Sequence, residues 1–160
     1  MSTLALVLRE LHRSEHRLAL DLDGVSHRHQ ADHDICYIAG DLAEWSREHL
    51  RAISDAAPSV GIDLESSPRT TALASGVAEP VSELFGHRPG PALVLLLDLR
   101  RLHQQAAGVA VDWQLLAQGA HATRSAGLVE LAARCRPQTS RQLDWTSAML
   151  KVLSPQALSG

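Results

Sequence analysis

The sequence predicts an all-α fold, a four-helix bundle built as two antiparallel hairpins joined by a long crossover. Three observations predict it. Apolar residues recur at alternating intervals of four and three along four long segments, the spacing of helices that bury one stripe. A stretch rich in Pro and Gly separates the second segment from the third. Nothing in the chain supports strands. At 160 residues, 45% of them hydrophobic, it fits a single domain over residues 1–160 with a sizeable core.

The first helix is expected over about residues 4–28, after the N-cap residues Ser2 and Thr3. Its stripe is Leu4, Leu8, Leu11, Glu15, Leu18, Leu22 and Val25, and Gly24 marks a point where it could fray. The second helix, about residues 32–57, opens with Asp32 and Asp34, whose charges suit the positive end of the helix dipole. It carries Ile35, Ile38, Leu42, Trp45, His49, Ala52 and Ala56 inward and stops at Pro58. So short a turn between the two makes them antiparallel neighbours.

Residues 58–90 are punctuated by Pro58, Gly61, Pro68, Gly76, Pro80, Gly86, Pro89 and Gly90, and only Glu79 to Phe85 could form a short helix. A connection this long has a geometric use: it crosses the bundle and starts the third helix parallel to the second. That helix, about residues 91–121, begins at Pro91 and buries Leu95, Leu99, Leu102, Ala106, Val109, Trp113, Leu116 and Ala120. The fourth, about residues 125–153, carries Leu128, Leu131, Cys135, Leu143, Thr146 and Leu153, is expected to kink or split at Pro137, and ends before Pro155. Ser154 to Gly160 reads as a free tail.

Two seams contain a polar residue where an aliphatic one belongs. With the first turn centred near residue 31, Glu15 lies 16 residues before it and His49 lies 18 after it. At ~1.5 Å per residue the two stand at nearly the same height on facing helices. A buried carboxylate without a partner costs several kcal/mol, so a facing imidazole is a sensible companion. Two readings stay open. Glu15 and His49 are either a buried hydrogen-bonded pair that sets the register of two helices, or metal ligands. In the second case His12, His16 and His103 are the neighbouring donors that could converge with them on one ion, and imidazole with carboxylate suits iron, manganese or zinc.

The connectivity, with Arg-Glu-Leu-His-Arg-Ser-Glu-His-Arg-Leu at residues 9–18 and Trp-Ser-Arg-Glu-His-Leu at 45–50, resembles the ferritin-like superfamily. Within it the chain is most similar to the small bacterial stress-associated YciE/YciF-type proteins, which have a Glu in mid-helix A and a His late in helix B. The resemblance implies a homodimer and a role in stress response. Active di-iron members place a Glu on the first helix, Glu-x-x-His on the second, a Glu on the third and Glu-x-x-His on the fourth. Glu15 and His49 match two of these positions. Ser46 stands where the second-helix Glu would be, the third helix offers Ala106 at the corresponding height, and the fourth offers Cys135, Thr139 or Gln142. Two irons need several carboxylates and this core supplies one, so the di-iron site is expected to be degenerate, with no resident cofactor.

Other chemistries are excluded by their motifs. No G-x-S-x-G elbow is present, and the only Lys, Lys151, follows no Gly-rich phosphate loop. The His-x-x-x-Glu pattern of hemerythrin-type oxygen carriers is missing. Cys36 and Cys135 are far apart, form no C-x-x-C, and read as reduced packing thiols of a cytoplasmic protein. The N-terminus lacks the basic region and cleavage site of a signal peptide. His27, His29 and His33 crowd the first turn with Asp32 and Asp34, either a solvated turn that caps the second helix or an exposed, pH-sensitive metal or contact site. A net charge of -3 gives no basic surface for nucleic acid, and no apolar run is long enough for a membrane span. Small and apolar residues on the third helix, among them Leu93, Leu96, Leu97, Gly108 and Gly119, favour close packing or a face-to-face homodimer. The chain is therefore expected to be a non-catalytic structural or interaction protein. The alternative is a metal-binding protein.

Overall fold

The computed structural model describes residues 1–68 and 90–160. Within them the fold is all-helical, with no strand. Four long helices form it: α1 (Thr3–Arg28), α2 (His33–Ala56), α3 (Pro91–Ala122) and α4 (Ala126–Ser159). The expected short helix at Glu79 to Phe85 and most of the crossover lie outside the described residues.

The first three helices begin where their chemistry directs. Ser2 Oγ accepts the Ala5 N–H at 3.1 Å and Asp32 Oδ1 accepts the Ile35 N–H at 3.3 Å, so α1 and α2 both start on side-chain caps. Pro91 opens α3, where the N–H it lacks would have had no helical partner. After α2 a single 3-10 turn, Ala57–Val60, ends on Gly61 at φ 78°, a left-handed conformation that glycine adopts without steric cost. Gly24 sits inside α1 rather than at a frayed end.

The main departure from the expected elements is α4. It continues without a break through Pro137 and Pro155 to Ser159, so the expected split and the free tail are both replaced by helix. Pro137 removes one backbone donor, which leaves the carbonyl of Ala133 without its helical partner. Both residues lie on the exposed side of α4, where water can satisfy that carbonyl. On the buried side Leu131, Cys135, Thr139 and Gln142 hold the flanking turns against the bundle. Packing of one face thus outweighs a single lost hydrogen bond.

α1 packs against α2 and α3, α3 packs against α4, and α2 meets α4 more sparsely. The core is built of Leu and Ala, with Leu8, Leu11, Leu18, Leu22, Ile53, Leu99, Leu102, Leu116 and Trp113 completely enclosed. Polar ties record the register. Between α1 and α2, Ser26 Oγ donates to the Cys36 carbonyl at 2.7 Å and Asp23 accepts from Arg47 at 2.5 Å. Between the end of α1 and the start of α3, Arg28 grips both carboxylate oxygens of Asp98 at 3.1 Å, and His29 Nε2 reaches the same carboxylate at 2.7 Å. At the other end of α3, a Cβ at Gly119 would stand 3.1 Å from a Leu4 methyl, so glycine there permits the close approach of α1. No helix among the described residues is long and apolar enough to cross a membrane.

Candidate functional site: a buried polar layer across four helices

Glu15 is completely buried on α1 and His49 almost so on α2. His49 Nδ1 donates to Glu15 Oε1 at 2.8 Å, the juxtaposition that their heights on the two helices predict. A third member joins them from α3: Trp113 Nε1–H donates to the same Glu15 oxygen at 2.7 Å, and its ring meets the imidazole edge-on with centroids 5.9 Å apart. The fourth helix completes the layer, since His49 Nε2 lies 2.8 Å from Gln138 Oε1. One imidazole and one carboxylate therefore link all four helices.

The height of this layer on α3 is a correction to the sequence reading. Ala106 is buried in the core, but the residue beside Glu15 is Trp113, two turns further along α3. The axial position of α3 depends on the crossover, which helix counting from the first turn cannot reach. A signal for Trp113 was nevertheless present, because a fully buried indole needs an acceptor for its N–H and Glu15 was the one carboxylate in the seams.

Electrostatics favour a charged pair. Burial by itself lowers the pKa of His49, but the hydrogen bond and charge of Glu15, with Gln138 and the charge of Glu48, outweigh it and leave the imidazole above its ordinary value. Both ring nitrogens face oxygen acceptors, which fits the doubly protonated form. Glu15 Oε2 has no hydrogen-bond partner within the protein, so half of the carboxylate is enclosed and unsatisfied. One turn along, Gln142 Nε2 donates to the Leu42 carbonyl and to Ser46 Oγ, both at 2.9 Å, which fixes its amide orientation and leaves its buried Oε1 unpartnered. Cys135, close by on α4, is buried, and desolvation together with the Glu15 charge pushes its thiol up to about 11.

The other candidate ligands are held elsewhere. His12 Nε2 donates to the Glu65 carbonyl at 2.7 Å, tying the chain beyond α2 back onto α1. His16 is half-buried, and burial, then the nearby His12, lowers its pKa. His103 Nδ1 donates to Thr146 Oγ1 at 2.9 Å, whose own proton goes to the Leu143 carbonyl. The structure brings Glu15 and His49 together and gives His12 and His103 separate partners. Among the described residues no group of three or more His, Cys, Asp or Glu side chains is placed to hold a metal ion.

In the first turn Asp32 caps α2, His29 is taken by Asp98, His27 meets Gln30 at 3.3 Å, and His33 stacks on Tyr37.

What this layer can do chemically is limited. Glu15 Oε1 is taken by His49 and Trp113, and the two imidazole nitrogens by Glu15 and Gln138. Comparison with protein-family models, with curated proteins and with solved structures finds no match for the chain.

Proposed function

We propose that this chain is a ferritin-like four-helix bundle whose di-iron layer is degenerate, and that it serves as a non-catalytic structural or interaction protein, self-associating as a homodimer. The register ties support the topology. Ser26 with Cys36 and Glu15 with His49 fit an antiparallel α1–α2 pair. Arg28 with Asp98 and Glu15 with Trp113 fit an antiparallel α1–α3 pair. Then α2 and α3 run the same way, which a crossover along the bundle provides. The His12–Glu65 contact fits a chain that turns back along α1 as it leaves α2.

The observation that carries the reading is the Trp113–Glu15 hydrogen bond. In a di-iron member the third helix supplies a carboxylate to this layer. Here an indole takes its place and donates to Oε1 of the one carboxylate left. The two i, i+3 pairs that would be Glu-x-x-His are Ser46 with His49 and Thr139 with Gln142, all four buried. That donor set does not fit two iron ions. A role in stress response follows from the resemblance to the YciE/YciF-type proteins.

The rival reading is a single iron, manganese or zinc ion on Glu15 and His49 with help from His12, His16 or His103. The unpartnered Glu15 Oε2 favours it. A Glu15→Leu/His49→Leu double variant separates the two. Our reading expects helical content and assembly state to be kept, and the rival expects bound metal to disappear from a protein that had carried it.

A further inference from the structure

We propose that the seam between α2 and α4 is the joint at which this bundle opens: the α1–α2 and α3–α4 pairs swing apart as units about the α1–α3 contact and admit water to the buried layer. The contacts around the bundle are unequal. α1 packs closely on α2, α3 on α4 and α1 on α3, whereas α2 and α4 meet only sparsely. The α1–α3 contact is also pinned along its length. Arg28 holds Asp98 at one end, Trp113 donates to Glu15 in the middle, and Gly119 lets Leu4 approach closely at the other end. Across the α2–α4 seam there is no ion pair among the described residues. Its hydrogen bonds there come from two glutamines of α4 one turn apart: Gln138 accepts from His49 Nε2, and Gln142 donates to the Leu42 carbonyl and to Ser46 Oγ. A hinge between two packed units needs one firm edge and one weak edge, and these are the two.

The weak edge is also the one with polar groups left over. Gln138, Gln142 and Trp145 share one face of α4 by their helical spacing, and the bonds of the two glutamines show that this face looks at α2. Two buried atoms on it, Gln142 Oε1 and Trp145 Nε1, have no partner within the protein, and Glu15 Oε2 in the layer is a third. The fourth such atom among the described residues, Asp21 Oδ2, at least has Arg101 at 3.6 Å. An enclosed donor or acceptor without a partner is unfavourable, and water relieves it. Parting the α2–α4 seam therefore exchanges a few hydrogen bonds and little packing for hydration of groups that the closed bundle leaves unsatisfied. The open form keeps the ties inside each pair, Ser26 with Cys36 and Glu15 with His49 on one side and His103 with Thr146 on the other.

The test is native-state hydrogen exchange of the full chain by NMR, following the fully buried Trp113 Nε1–H against the slowest backbone amides of α1 and α3. The indole signals are assigned with Trp45→Phe and Trp145→Phe. In the wild type the Trp113 indole is expected to be at least about tenfold less protected than those amides, because it exchanges through the open form while they wait for global unfolding. Two substitutions then locate the joint. Gln142→Ala removes contacts that opening breaks, so it speeds the indole and the slowest amides by the same factor. Thr146→Val removes a bond to His103 that opening keeps, so it speeds the slowest amides and leaves the indole unchanged. A Trp113 indole as protected as the slowest amides in the wild type overturns the proposal without any variant. Thr146→Val speeding the indole as much as it speeds the amides overturns the α2–α4 seam as the place of opening.

Discussion

Removing His49 exposes how much of the bundle depends on one buried pair. In His49→Leu, α2 keeps an apolar side chain of similar bulk, but Glu15 loses its countercharge and retains only the Trp113 indole as a donor. The carboxylate is wholly enclosed and its Oε2 already has no partner, so solvent cannot take over. Breaking a buried pair from one side costs about 3–5 kcal/mol. That is a large part of the roughly 5–15 kcal/mol that holds a domain folded. For a chain of this size it corresponds to a fall in Tm of about 6–20 °C. Replacing both partners, Glu15→Leu with His49→Leu, removes the stranded charge and is expected to recover most of the loss, leaving the unsatisfied Trp113 N–H at about 1–3 kcal/mol. Urea unfolding followed by circular dichroism and by tryptophan emission gives the four corners of the cycle. A His49→Leu cost below about 1 kcal/mol, or a double variant whose cost equals the two single costs added together, would refute the reasoning.

The His49 pKa is raised in the folded state above its unfolded value, so its contribution to stability is fully present below about pH 6.5 and is lost as pH rises through the folded value. Wild type should therefore lose stability over that range by an amount that His49→Leu does not, when chemical unfolding is repeated from pH 6 upwards. Pro137→Ala restores the N–H missing from the middle of α4 and is expected to raise stability, by up to ~3 kcal/mol, seen as a higher Tm. With its thiol pushed up to about 11 and its side chain enclosed, Cys135 should resist a thiol-reactive dye at pH 8 in the native protein, while the half-buried Cys36 reacts first. Equal rates for the two would contradict the packing of α4.

The four helices were legible because each carries apolar residues at intervals of four and three, and the first three have a chemical start. The Glu15–His49 pair was legible for a further reason: a short turn makes height on α1 and α2 a matter of counting residues. The rest of the layer lay beyond that arithmetic. Trp113 and Gln138 reach it from helices whose axial position is set after the long connection, so the count pointed to Ala106 instead. The expected split at Pro137 does not occur because local propensity knows nothing of the face on which the proline falls, and here it falls on the wet side. His12 and His103 looked like donors because a sequence shows which residues share a helix face but not the Glu65 carbonyl or Thr146 hydroxyl that claims each one.

The central claim, that the buried layer is a structural tie rather than a metal centre, is tested most directly by metal content. The protein is purified without an affinity tag, offered iron, manganese and zinc anaerobically, desalted, and analysed by inductively coupled plasma mass spectrometry beside Glu15→Gln. The account predicts no metal above background in either protein. Near-stoichiometric metal in the wild type that vanishes in Glu15→Gln would contradict it.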